Sequence, residues 1–198
     1  MGLKNQIHKN YEEDDIITTW RSDVIDLSGL KSFSMQAVIN VDVPAADEVE
    51  AVDTDEDTAT FTAHDLTTGL KGQLTTTDTL PAGLSLLTDY FIIVVDADTV
   101  KFATTLANAL AGTDVDITDA GTGTHTFTPT AIAGATLTLE KSNDNVHFDA
   151  IESATSITVD ATKWLEKDEP TYKYFRMSYT LTAGRISVDN WFYGEEVA

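Results

Sequence analysis

Four histidines, His8, His64, His125 and His147, are the residues of this 198-residue chain best suited to acid–base or metal chemistry. None stands with a second histidine or an acid at the spacing that sets two ligands on one helix face. His64 and Asp65 are adjacent, and adjacent strand residues point to opposite faces. Cysteine is absent, which removes disulfides, thiolate nucleophiles and Cys-based zinc sites. No serine lies in a G-x-S-x-G elbow and no glycine-rich phosphate loop is present. Acidic pairs are so abundant that no two are marked out as the acid and base of a glycosidase. Asp53-Thr54-Asp55-Glu56-Asp57 alternates carboxylates, yet it lacks the sixth-position glycine and closing glutamate of a calcium loop. Asp114, Asp116 and Asp119 surround an ordinary strand pattern. The expectation is a chain with no catalytic residue, no metal and no cofactor, its histidines in turns or on the surface.

Charge narrows the partners. Thirty-three Asp and Glu face twelve Lys and Arg, a formal net charge of −21. Such a surface repels phosphate backbones and anionic membranes, so neither nucleic acid nor membrane is expected as a partner. No apolar run approaches the length of a bilayer crossing, and MGLKNQIHKNYEEDD lacks the apolar core of a secretory signal. Without cysteines, folding in a reducing cytosol, or at least indifference to redox state, is expected.

The elements that must position any site read as strands. In Ser32–Val41, Phe33, Met35, Ala37, Ile39 and Val41 alternate with polar residues, the period of a strand with one buried face. Gly134–Ala150 reads as a β-hairpin. Leu137 and Leu139 lie on one arm, Ser142-Asn143-Asp144-Asn145 forms the turn, and Val146, Phe148 and Ala150 lie on the return. Phe175, Met177 and Tyr179 alternate through Tyr172–Tyr179, with Glu166–Pro170 as a charged turn before them. Tyr90–Val95 is continuously apolar and predicts a central strand covered on both faces. Residues 103–111 form the one predicted helix, with Leu106, Ala107 and Leu110 at helical spacing and Gly112 as its stop. Val115, Ile117 and His125–Phe127 predict closing strands.

Composition divides the chain. Residues 45–129 hold fifteen Asp and Glu against Lys71 and Lys101, are rich in Thr, and read as a separate acidic β-rich module. Residues 20–44 and 130–198 then make one discontinuous β-sandwich, with Phe33–Val41 and Ala135–Glu140 expected as spatial neighbours. Residues 1–19 are polar and irregular. They read either as a frayed terminus or as an arm that orders against a neighbouring subunit, with Ile16, Ile17 and Trp20 to bury. Trp20, Trp164, Trp191, Tyr172, Tyr174 and Tyr193 all fall in the sandwich, where aromatics serve as core, subunit interface or sugar-stacking platform. Core or interface is the expectation, and Ile16, Ile17, Trp20, Trp191, Phe192 and Tyr193 are the candidate interface residues.

Three segments of the sandwich, VIDLSGLKSFSMQAVINV, ATLTLEKSNDNVHFDAI and YKYFRMSYTLTAGRISVDNW, resemble small virion structural proteins of tailed bacteriophages. The insertion, from HDLTTGLKGQL through GTGTHTF, is similar to a module met in phage tail, fibre and other virion proteins. The resemblance implies an all-β, jelly-roll-like sandwich carrying a small β-rich domain with one short helix. It implies a non-enzymatic, multi-copy protein located in the virion and assembled in the host cytoplasm. Its implied partners are the major capsid protein or other virion proteins, and further copies of itself, a homotrimer being favoured. Capsid decoration (cement) is the role chosen. A glycan-binding or host-attachment module of a tail or head fibre, and a neck or tail subunit, are the alternatives.

Overall fold

A computed structural model describes residues 6–168 and 170–196, with side chains from Lys9 onward. Its strands begin with β1 (Gln6–Ile16), β2 (Trp20–Arg21), β3 (Ile25–Asp26) and β4 (Leu30–Val41). Next come β5 (Asp47–Val49), β6 (Ala51–Asp53), β7 (Thr58–Thr60), β8 (Lys71–Thr76), β9 (Asp89–Val94), β10 (Thr99–Ala103), helix α1 (Leu106–Ala111) and β11 (His125–Pro129). The chain closes with β12 (Ala135–Ser142), β13 (Asp149–Ala150), β14 (Thr155–Ile157), β15 (Ala161–Asp168), β16 (Tyr174–Thr180) and β17 (Ile186–Glu196). The chain divides into two compact units, Met1–Asp42 with Ile132–Ala198, and Val43–Ala131.

Strand pairing in the first unit is nested. β1 pairs with β17, β2 and β3 in succession with β16, β4 with β15, and β12 with β13 and β14, all antiparallel. β17 also joins β4, and β16 joins β12, which gathers the pairs into a β1-β17-β4-β15 sheet and a β13-β12-β16-β2 sheet. First strand with last, second with next to last, and so inward is a long hairpin rolled into two layers, the jelly roll. The all-β fold class expected from the alternation is therefore observed. Phe33, Met35, Ala37 and Ile39 of β4 and Phe175, Met177 and Tyr179 of β16 are all at most 3 % exposed and meet in one core. Phe33 sits 5.4 Å from both Phe192 of its own sheet and Phe175 of the other.

The structure refines four expectations. β4 and β12 are neighbours across the shared core, in opposite sheets of the sandwich and without hydrogen bonds between them. The return arm of the Gly134–Ala150 hairpin shrinks to Asp149–Ala150, and Val146 is exposed in the loop. Glu166–Asp168 belong to strand β15 instead of a turn. Residues Gln6–Ile16 are not frayed, since β1 forms the edge of its own sheet along β17.

The second unit is a closed barrel. Its sheet runs β5-β11-β8-β9-β10-β7-β6, and β5 and β6 are separated only by Glu50. The single stretch Asp47–Asp53 thus pairs with β11 at one half and β7 at the other, and Glu50 N–H donates to Thr60 O at 2.9 Å. Closure leaves no free sheet edge, the feature through which β proteins aggregate. Phe61, Leu70, Leu74, Ile92, Val100, Phe102 and Phe127 fill the interior.

β9 is central as expected, but it is half-buried: Tyr90 and Ile92 face inward, and Val95 is exposed. The helix starts at Leu106, because Ala103 ends β10 and the Thr105 hydroxyl accepts from Asn108 N–H as the N-cap. Ala109 is its buried residue, and Leu110 faces solvent. Val115–Ile117 form no strand; the Ile117 N–H is taken by the Asp57 carboxylate at 2.7 Å. Asp53 in turn accepts from the Asp55 and Glu56 N–H groups. Two carboxylates of the calcium-like run are thus engaged as local backbone acceptors.

Candidate functional site

The strand directions set two unlike ends on the sandwich. At one end lie residues 17–19, 158–160 and 181–185, and here the chain leaves at Asp42 and returns at Ile132. Both arms of the stem are tied to the same turn. Asp42 N–H donates to Arg185 O at 3.0 Å, and Ala133 N–H donates to Ala183 O at 3.1 Å. The Arg185 side chain is buried. Its Nη2 lies 2.7 Å from Asp42 Oδ2, its Nε donates to Asp42 O at 3.0 Å, and its Nη1 lies 3.2 Å from Asp15 Oδ1. Asp15 sits at φ 56° where the β1 register shifts, which leaves its carboxylate within reach of Arg185.

The opposite end carries the Ser142–Phe148 loop. Asp144 holds it together by accepting from the Ser142 hydroxyl and from the Val146 and His147 N–H groups, with His147 Nδ1 2.7 Å from its other oxygen. The His147 contact, first, and these N–H donors hold the Asp144 carboxyl well below the ordinary carboxylate range. The same hydrogen bond raises the pKa of His147. Lys141, Asp149, Thr171 and Tyr172 join the loop around a polar hollow of about 270 Å³. Lys31, Lys141, Lys167 and Lys173 all lie at this end, one residue in from the ends of β4, β12 and β15 or just before β16.

The outer faces of the two sheets also differ. That of the β12–β16 sheet is polar, with Thr136 bonded to Thr180 and Arg176 paired with Glu140 and lying 3.8 Å over the Phe148 ring. The outer face of the β1-β17-β4-β15 sheet carries indoles. In register, Trp164 of β15 lies opposite Gln36 of β4, Gln36 opposite Trp191 of β17, and Trp191 opposite Asn10 of β1. Trp164 is 60 % and Trp191 51 % exposed. With Ser34, Gln36 and Tyr193 they line an open groove of about 140 Å³.

The candidate interface residues separate on this frame. Trp191 and Tyr193 share the outer face. Phe192 between them points into the core at 2 % exposure, as strand alternation requires. Ile16 is buried at the end of β1 and joins the core, so it cannot face a partner. Ile17 is half-buried, and Trp20 packs on the core in the other sheet, 5.7 Å from Tyr179. Trp164 was not among the candidates. The sequence signal was its setting in Lys163-Trp164-Leu165-Glu166-Lys167-Asp168, where charge on both sides marks an outward-alternating edge strand.

The histidines take local roles. His125 is buried between Thr76 Oγ1, at 2.9 Å, and Ala120 O, at 3.2 Å. His64 Nδ1 accepts from Leu66 N–H. His147 belongs to the loop above, and the His8 side chain lies outside the described residues. Among the described residues no group of three or more His, Asp or Glu is placed to hold a metal ion.

No family model matches the chain, and no curated protein matches it. Among solved structures it is similar to VP17, a capsid protein of bacteriophage P23-77, at 10 % identity over 100 % of both chains, with a TM-score of 0.22. At that level the likeness carries no argument.

Proposed function

We propose that this protein is a non-enzymatic structural component of a tailed-bacteriophage virion, a decoration protein that binds the head shell and stabilises it. The observation that carries the reading is how the resembling segments fall on the fold. The three sandwich segments supply β3–β4, β12–β13 and β16–β17 of one jelly roll, and the insertion segment supplies most of a separate closed barrel. Jelly rolls serve viral capsids and lectins alike, so the fold supports the reading by analogy.

The lysine-bearing end is the shell-facing end in this proposal. In a chain of net charge −21, exposed Lys31, Lys167 and Lys173 and half-buried Lys141 lie opposite the stem of the insertion, interleaved with Asp26, Asp144, Asp149, Asp168 and Glu195. Cations there reduce the repulsion an acidic chain meets on docking, while the insertion stem starts from the far end. Burial of apolar area between copies, in a homotrimer, would add to shell cohesion.

The test is reconstitution on particles that lack the protein, with copies counted at lattice positions in an electron-microscopy map. Regular occupancy of the head is expected. Lys31→Glu/Lys167→Glu/Lys173→Glu should cut it about tenfold or more, the equivalent of roughly 1.4 kcal/mol, with an unchanged melting temperature. Density at the neck, tail or a fibre instead would overturn the proposal. Mass measurement of the purified protein decides the trimer.

A further inference from the structure

We propose that the Trp164–Gln36–Trp191 row on the outer face of the four-stranded sheet is a platform for a neutral saccharide. Four observations lead there. First, both indoles flank the same residue, Gln36, in register. They therefore rise from the same side of the sheet at the same level, two strand spacings apart, about 9.5 Å at the backbone. That is the span of a short oligosaccharide lying across strands. Second, each indole is at least half exposed although the core beneath is closed, so its surface is not consumed by folding. An aromatic face is electron-rich and meets the slightly positive C–H face of a sugar ring.

Third, polar groups stand between the rings and beside them. The side chains of Gln36 and Ser34 make no hydrogen bond to any described residue and line the groove together with Tyr193. Few polar groups at fixed places on an apolar floor are what orients a small ligand. Fourth, carboxylates stand in the rows on either side. Glu166 lies opposite Ser34 in one, and Asp189 opposite Glu12 in the other. Carboxylates accept from sugar hydroxyls and repel sulfated or sialylated chains and nucleic acid. They also repel a second copy of this face, which disfavours a homotypic contact. The groove is shallow, so the ligand lies flat along it instead of entering a cavity.

This inference goes beyond the decoration role and uses a face other than the lysine-bearing end. The full chain would be titrated with neutral gluco-, galacto- and manno-configured hexasaccharides and with a sulfated hexasaccharide, reading tryptophan fluorescence and heat. Saturable binding of at least one neutral series is expected, with no binding of the sulfated one. Trp164→Ala and Trp191→Ala should each weaken it about tenfold, Trp164→Phe and Trp191→Phe much less, and Gln36→Ala should change which series is preferred. Both tryptophans are exposed, so the variants should keep the wild-type melting temperature, mass and head occupancy.

Absence of binding to every neutral series overturns the inference, as does equal binding of the sulfated probe. Alanine variants that dissociate an oligomer would assign the face to a second copy. Variants that lose particle occupancy would assign it to the shell. Either result overturns the saccharide platform while leaving the decoration proposal standing.

Discussion

Tyr179 of β16 donates its hydroxyl hydrogen to Asn190 Oδ1 of β17 at 2.5 Å, and both residues are fully buried. The bond crosses from one sheet to the other through an otherwise apolar core. Asn190 Nδ2 continues it to the Tyr11 carbonyl of β1 at 3.3 Å. Three strands of two layers therefore share one polar link, and burial holds the Tyr179 hydroxyl far above its ordinary pKa.

Tyr179→Phe removes the donor and leaves a buried amide oxygen without a partner. A loss of about 1–3 kcal/mol is expected, read as a lower denaturation midpoint. Asn190→Ala should cost more, because it strands both the hydroxyl and the Tyr11 carbonyl and opens a cavity. A double-mutant cycle over the two positions should show strong coupling.

Arg185 fixes the stem. Replacing it with Met keeps volume but abandons Asp42 and Asp15, whose carboxylates are about half exposed and can turn to water. The expected loss is therefore about 1–3 kcal/mol, below that of a fully buried broken pair. Lys should not restore it, since one ammonium cannot serve the Asp42 carboxylate, the Asp42 carbonyl and Asp15 together. Thermal melts of Arg185→Met and Arg185→Lys check both statements.

The Ser142–Phe148 loop should respond to pH in a defined window. Asp144 has a lowered pKa, so its contribution is present above the ordinary 3.8 and is lost as pH falls through the lowered value. His147 has a raised pKa, so its contribution is present below the ordinary 6.5 and is lost as pH rises through the raised value. The pair is fully formed between those limits. A proton-NMR titration should place the His147 midpoint above 6.5, and Asp144→Asn should return it toward 6.5.

In the barrel, Gly72 of β8 lies opposite Pro129 of β11, and a Cβ there would meet the Phe127 ring and stand 2.6 Å from Thr128 O. Gly72→Ala must push apart two paired strands or turn a buried ring. A cost of about 1–3 kcal/mol is expected, visible as earlier loss of amide protection in β8 and β11 than in the jelly roll by hydrogen exchange.

Much of this was legible in residue order. Phe33, Met35, Ala37 and Ile39 announce a one-sided strand because strand side chains alternate, and the structure buries all four. Period alone does not say which strand pairs with which: β4 and β12, expected as spatial neighbours, meet across the core from opposite sheets and not within one sheet. The hairpin return failed for a local reason. Asp144 satisfies four donors within its own loop, which leaves Val146 outside any ladder and 72 % exposed. The indole pair was invisible for a different reason. Trp164 and Trp191 lie far apart in sequence and meet only because both strands flank β4. Sequence named Trp191 with its buried neighbour Phe192, where alternation alone separates the two.

The turn at Ala183-Gly184-Arg185 receives both arms of the insertion stem, and Gly184, at φ 83°, admits the Ile132 backbone against it. A sandwich built this way has a socket. Any module whose two ends emerge side by side can be seated there, and the sandwich needs only to close one loop, whatever the module's length. A bypass of a few residues from Asp42 to Ile132 should leave the jelly roll folded. The same socket would let one inserted module be exchanged for another on an unchanged sandwich.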